Sequence, residues 1–187
     1  MKLAYGICGS FCTHARALTQ LKKLCEEHEV YPILSEISAV TDTRFGTAAE
    51  LRKTVEELTG RAPILTVKEA EEVITRGSFD GLIVSPCTGN TLAKLAHGIT
   101  DGVVTMAVKA QLRNRRPVII AIATNDGLGA NLFNIAMVLE KKNVYFVPFG
   151  QDDAFGKPTS LICDFKRIPE TLDAALRGRQ LQPVLLE

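Results

Sequence analysis

Three short stretches of small and polar residues carry the types that hold ligands: Gly6-Ile7-Cys8-Gly9-Ser10, Pro86-Cys87-Thr88-Gly89-Asn90-Thr91 and Thr124-Asn125-Asp126-Gly127. In the first, glycine lets the backbone approach an anion, the N–H groups of a helix start point at it, and Ser10 adds a hydroxyl donor. A tight turn that binds nothing fits this glycine pair about as well. The spacing departs from GxGxxG, since Phe11 to Thr13 supply no third glycine. The second apolar run ends in Ser35, followed by Ser38, with no acidic residue read as a ribose holder; a hydroxyl beside the glycine turn suits a terminal phosphate better than a dinucleotide. In the second stretch small side chains around Pro86 and Thr88 leave room for a flat ring, and Asn90 can pair with a ring edge or a carboxylate. The same residues also suit a helix cap, with Asn90 or Thr91 as N-cap. In the third, Thr124 and Asn125 end another apolar run. Three such loops together are much harder to read as bland turns than any one alone.

Other reactive types read more plainly. Cys12 and His14 stand near a helix start, where a thiol can ionise more readily, but a packed, inert thiol is the expected state, and Cys8 and Cys25 read as core. The three histidines share no ligand spacing with the five cysteines, so no zinc site is expected. Arg113, Arg115 and Arg116 precede a strand and follow a helix, where cations are favoured. A net charge of +1 and a pI near 7.6 give no whole-molecule attraction to nucleic acid or anionic membrane. The start, Met1 to Gly6, reaches its glycine turn without an apolar leader, and the cysteines form no CxxC pair, so a reduced, cytoplasmic protein is expected.

Positioning these loops requires a scaffold, and the apolar runs supply one. Leu3–Cys8, Val30–Ser35, Leu82–Ser85, Val118–Thr124 and Val144–Phe149 are apolar throughout, as strands buried on both faces of a parallel sheet are. Helices are expected between them. Thr47 to Glu50 and Thr66 to Glu69 are capping boxes, with Gly60 and Gly77 as stops. Further helices fall at Cys12–Glu27, Thr91–His97, Val103–Arg113, Ala130–Lys142 and Pro169–Arg177. The alternation predicts an α/β class fold: a doubly wound, mostly parallel sheet flanked by helices, with right-handed crossovers, as one domain over 187 residues. Ligands then sit beyond the carboxyl ends of the strands. Residues 151–166, the least regular segment, would fold over that face as a lid.

The loops resemble the homo-oligomeric flavin-containing cysteine decarboxylase superfamily. Gly6 to Ser10 looks like its phosphate loop, Ser35 like its hydroxyl after the second strand, and Pro86-Cys87-Thr88-Gly89-Asn90-Thr91 like its Pro-Ala-Ser-Ala-Asn-Thr motif. Its Pro-Ala-Met-Asn motif is half present, as Ile122-Ala123-Thr124-Asn125. The catalytic histidine that its decarboxylases carry between the second and third strands has no counterpart between His28 and His97. Thr43-Arg44-Phe45-Gly46, Thr124-Asn125-Asp126, Pro148 to Asp152 and the ending Gln180 to Val184 resemble one branch, the B subunits of the dipicolinate synthases of spore-forming bacteria. The resemblance implies FMN held by Gly9, Ser10, Ser35, Pro86, Thr88, Asn90 and Thr124, and a trimer-based homo-oligomer, for which the apolar Val103 to Val108 helix is a candidate interface. It further implies that the chain works in the mother-cell cytoplasm with an NAD(P)-dependent A subunit. Together they would oxidise a dihydro- or hydroxytetrahydro-dipicolinate to pyridine-2,6-dicarboxylate during sporulation. On that reading Arg44 clamps one substrate carboxylate, Asn90 and Asn125 fix the ring, and Lys109 neutralises the second carboxylate or is merely solvated. An FMN-dependent decarboxylase and a non-catalytic flavin-binding partner subunit stay open beside it.

Overall fold

The computed structural model describes residues 1–186. Five parallel strands, β1 (Lys2–Ile7), β2 (Glu29–Leu34), β3 (Gly81–Cys87), β4 (Val118–Thr124) and β5 (Val144–Phe146), lie in the order β2-β1-β3-β4-β5. Every residue of β3 is buried, and β4 is buried up to Thr124, so a continuous apolar run is what this position in the sheet demands. The chain passes outward from β1 to β2, then returns across β1 to β3 and continues the other way. The β1/β3 junction is therefore the switch point, where neighbouring crossovers diverge and leave a crevice at the strands' carboxyl ends.

The helices are α1 (His14–Glu27), α2 (Glu36–Val40), α3 (Ala48–Thr59), α4 (Val67–Arg76), α5 (Gly89–His97), α6 (Val103–Arg113), α7 (Leu132–Leu139) and α8 (Ile168–Leu176). Both capping boxes form: Thr47 and Glu50 bond reciprocally ahead of α3, as do Thr66 and Glu69 ahead of α4. Gly60 closes α3 in the left-handed region at φ 66°. Helix α6 matches its expected limits but not its expected role. Val103, Val104, Ala107 and Val108 are all buried within the chain, so this face is not the oligomer interface that its apolar sequence suggested.

Three departures shape the ligand end. The short helix α2 was not anticipated; Ser35 caps it, its hydroxyl 3.4 Å from the Ser38 N–H and 2.9 Å from the Ser38 hydroxyl. The fifth apolar run splits. Its first half is β5, while Pro148, which has no N–H for a ladder, separates it from β6 (Phe149–Asp153). Finally, the segment expected to be irregular is a hairpin: β6 pairs antiparallel with β7 (Lys157–Cys163), and β7 pairs antiparallel with Ala123 and Thr124 at the end of β4. The chain's ending closes this region. Gln180 accepts from the Phe146 N–H at 2.8 Å and donates to its carbonyl at 2.7 Å, and Phe149 bonds Val184 and Leu186. Arg113, Arg115 and Arg116 fall before β4, at the opposite end of the sheet. No described helix is long and apolar enough to cross a membrane.

Candidate functional site

Two adjoining clefts occupy the switch point. The larger, about 760 Å³, is walled by Ser10, Arg44, Thr124, Asn125 and Lys157; the smaller, about 560 Å³, by Ser35, Glu36, Lys94, Asp101 and Thr105. Gly9, Thr88 and Asn90 line both, so they form the saddle between them. Local bonding sets each wall. The first turn is drawn tight where Thr13 donates to the Ser10 carbonyl through its N–H at 2.9 Å and its hydroxyl at 2.8 Å. A Cβ on Gly9 would lie 2.8 Å from an Ile37 methyl, so α2 approaches this turn closely and a side chain there would displace Ile37. Thr88, rather than Asn90 or Thr91, caps α5 by accepting from the Thr91 N–H at 3.2 Å, which leaves the Asn90 side chain exposed on the saddle.

The loops thus bring Gly9, Ser10, Arg44, Thr88, Asn90, Thr124 and Asn125 to one cleft, and Ser35 to its neighbour. Pro86 is placed differently. It is buried in β3 and lines neither cleft; its carbonyl accepts the Cys8 N–H at 3.2 Å, tying the ends of β1 and β3 together. Lys109 is also elsewhere, exposed on α6 beside a separate apolar cavity with Leu95 and Leu112. The cation that faces the larger cleft with Arg44 is Lys157 of the hairpin, paired to Asp152 at 2.7 Å. Nothing in the local sequence distinguishes Lys157, because only the antiparallel hairpin carries it to the cleft.

Arg44 has no ion pair among the described residues. Both nearby acids are committed: Asp42 accepts from the Ala48 N–H at 2.9 Å, and Glu50 is held by Thr47, whose bonds keep its carboxyl below the ordinary range. The guanidinium instead lies 4.8 Å from the Phe45 ring centre. Such an arginine keeps its planar fork for an incoming carboxylate or phosphate.

The thiols divide by burial. Burial pushes Cys8 up to about 11 and also raises Cys87, so both stay protonated. Cys12, expected to be packed, is exposed on the cleft wall. His14 sits 2.8 Å from the Cys8 carbonyl through Nε2, and burial lowers its pKa, so it braces the glycine turn as a neutral donor. The acid absent from the end of β2 stands one residue later: Glu36 accepts the Val103 N–H at 2.7 Å, at the start of α6, and lines the smaller cleft. No cluster able to hold a metal occurs among the described residues.

One further group escaped the sequence reading. Thr124 donates to the Asp126 carboxylate, and the buried Asn131 amide lies 2.9 Å from both Asp126 oxygens. A Cβ on Gly89 would fall 2.4 Å from Asn131 Nδ2, 2.6 Å from Thr124 Oγ1 and 2.8 Å from Asp126 Oδ1. The first turn of α5 therefore rests directly on this cluster.

A family profile described as Flavoprotein matches residues 2–167. Over 187 residues the chain is 41% identical to the B subunit of dipicolinate synthase of Bacillus subtilis (strain 168), covering 100% of this chain and 94% of that one. The chain belongs to the flavoprotein family, in the branch of the dipicolinate synthase B subunits. The crystal structure of the dipicolinate synthase B subunit from Bacillus halodurans superimposes with a TM-score of 0.91 at 40% identity, over 100% of this chain and 96% of that one. A dodecameric FMN-dependent Ubix-like decarboxylase from Escherichia coli O157:H7 superimposes with a TM-score of 0.62 at 26% identity, over 79% and 80% of the two chains. In the two motifs compared in the sequence, Thr124 stands where the resembled motif has methionine and Gly89 where it has alanine; Thr124 and its partners fill the space that an alanine methyl at position 89 would need.

Proposed function

We propose that this flavoprotein binds FMN across the two clefts and works with an NAD(P)-dependent A subunit, oxidising dihydrodipicolinate or its hydroxytetrahydro precursor to pyridine-2,6-dicarboxylate. The observation that carries this reading is the larger cleft: an uncommitted arginine, a hairpin lysine and the amides of Asn90 and Asn125 around one space. That set suits a small planar dicarboxylate. Arg44 grips one carboxylate as a bidentate partner, and Asn90 and Asn125 orient the ring. Aromatisation of the pyridine provides the thermodynamic drive, so orientation is the main task left to these side chains. A bound flavin supplies two-electron acceptance.

The chain's residues fit such a group. Gly9 gives the backbone approach; Ser10, Ser35 and Thr88 offer hydroxyls; Asn90 and Thr124 face the ring, and Pro86 steadies the β3 turn from behind. The hairpin over the end of β4 serves as the lid. Calorimetry should show FMN binding more tightly than riboflavin, FAD or NAD, because the glycine turn and its hydroxyls read a terminal phosphate. Equal affinity for riboflavin and FMN would remove the phosphate argument. The reaction itself is tested by dipicolinate formation with the A subunit, which should require this chain; full activity of that partner on its own would overturn the proposal.

Assembly as a homo-oligomer, with flavins near the contacts between protomers, fits a different surface from the one the sequence suggested. Ile37 and Phe45, which line the clefts, are 52% and 54% exposed, and Val40 at the end of α2 is 71% exposed; apolar side chains beside the site suit a contact between protomers. Light scattering should give a multiple of the 20.4 kDa chain mass, and Val40→Lys should shift it toward monomer. A monomer at micromolar concentration for the unaltered chain would refute the assembly.

A further inference from the structure

The cluster at the end of β4 leaves the cleft with a directional hydrogen-bonding preference. Asn134 donates to the Asn131 side-chain oxygen at 2.9 Å, which fixes which way the Asn131 amide faces. The Asn131 NH₂ group then points at Asp126, 2.9 Å from each oxygen. Thr124 donates to the same carboxylate. A threonine hydroxyl has a single proton and two lone pairs, and here Asp126 takes the proton. Toward the cleft, Thr124 offers only lone pairs.

We propose that Asp126 is a positioning residue that, through Thr124, turns the end of β4 into a hydrogen-bond acceptor selecting a bound ring that carries an N–H. The inference rests on the flavin reading above and deepens it, naming which feature of the ring this wall recognises. An oxidised flavin ring has one N–H, at N3; reduction adds another at N5. A methionine, which the resembled motif has at this position, is a weak acceptor with no fixed direction. Asp126, Asn131 and Gly89 serve one geometry: the carboxylate orients the hydroxyl, the amide orients the carboxylate, and the missing Cβ makes room for all three.

The test compares FMN, 3-methyl-FMN and anaerobically reduced FMN on the full chain, with Thr124→Val, Thr124→Ser and Asp126→Ala. In the unaltered chain, blocking the N3 proton should weaken binding, or adding the N5 proton should strengthen it, by about tenfold, the value of one hydrogen bond. Thr124→Val, which keeps the side-chain shape and the Asp126–Asn131 pair, should abolish that selectivity, whereas Asp126→Ala, which frees the hydroxyl to donate but leaves its lone pairs, should weaken it without abolishing it. Thr124→Ser should retain it. A purely structural role would change all three affinities together and leave their ratios intact. Equal ratios in the unaltered chain and Thr124→Val would overturn the proposal while leaving FMN binding in place. No binding of any flavin to the unaltered chain would overturn the flavin reading and this one with it.

Discussion

Replacing Arg44 with lysine should cut dipicolinate production by the complex with the A subunit roughly ten- to a hundredfold, with FMN affinity unchanged. Arg44 is exposed at the mouth of the larger cleft, stacked near Phe45, and bonded to no carboxylate among the described residues. Its fork can therefore meet a substrate carboxylate with two parallel hydrogen bonds, which the compact lysine ammonium does not reproduce. Loss of a charge-assisted contact costs about 1.5–3 kcal/mol, which sets the expected range of rates. An ordinary surface arginine would instead change activity little. Asp42 and Glu50, the acids closest in sequence, are already engaged by Ala48 and Thr47. Dipicolinate production by Arg44→Lys at the unaltered rate would sink the clamp assignment without touching the flavin site.

Gly89→Ala should destabilise the protein by about 1–3 kcal/mol and weaken flavin binding in the same variant. Alanine normally favours a helix over glycine by about 1 kcal/mol, so the expected sign is the reverse of the usual one. Steric conflict decides it. The new methyl would lie within 2.8 Å of three polar atoms, on Asn131, Thr124 and Asp126, and at least one must move. Inserting a methyl into such a packed position typically costs this much, and here the displaced groups include a cleft wall. Gly129→Ala, in the loop between β4 and α7 that carries Asp126, is the control, since its Cβ would meet only the Asp126 carbonyl, at an ordinary 3.5 Å. Thermal or denaturant midpoints that fall equally for both variants would show that the cluster beneath α5 has no special role.

The sequence by itself determined the parallel sheet, because β1, β3 and β4 are buried on both faces and are accordingly written almost wholly in apolar residues. It also determined the starts of α3 and α4, since a capping box is closed by residues three apart and needs no distant partner. The three polar loops were legible for the same local reason: each directly follows a strand end, and parallel strands deliver their ends to one side. What only the tertiary structure decided were contacts between residues far apart in sequence. The hairpin of β6 and β7 is polar along most of its exposed length, so it carries no burial pattern, yet its pairing to Ala123 and Thr124 brings Lys157 to the cleft. Periodicity showed α6 to be apolar but not that its neighbours were this chain's own strands and helices. Lys109 was placed near the site on its chemistry alone, and the turn of α6 carried it away. Gly89 meets Thr124 and Asp126 across more than thirty residues of sequence, where the deciding quantity is a gap of 2–3 Å. A gap of that size is set by how α5 settles on the end of β4, and only the packed core fixes that distance.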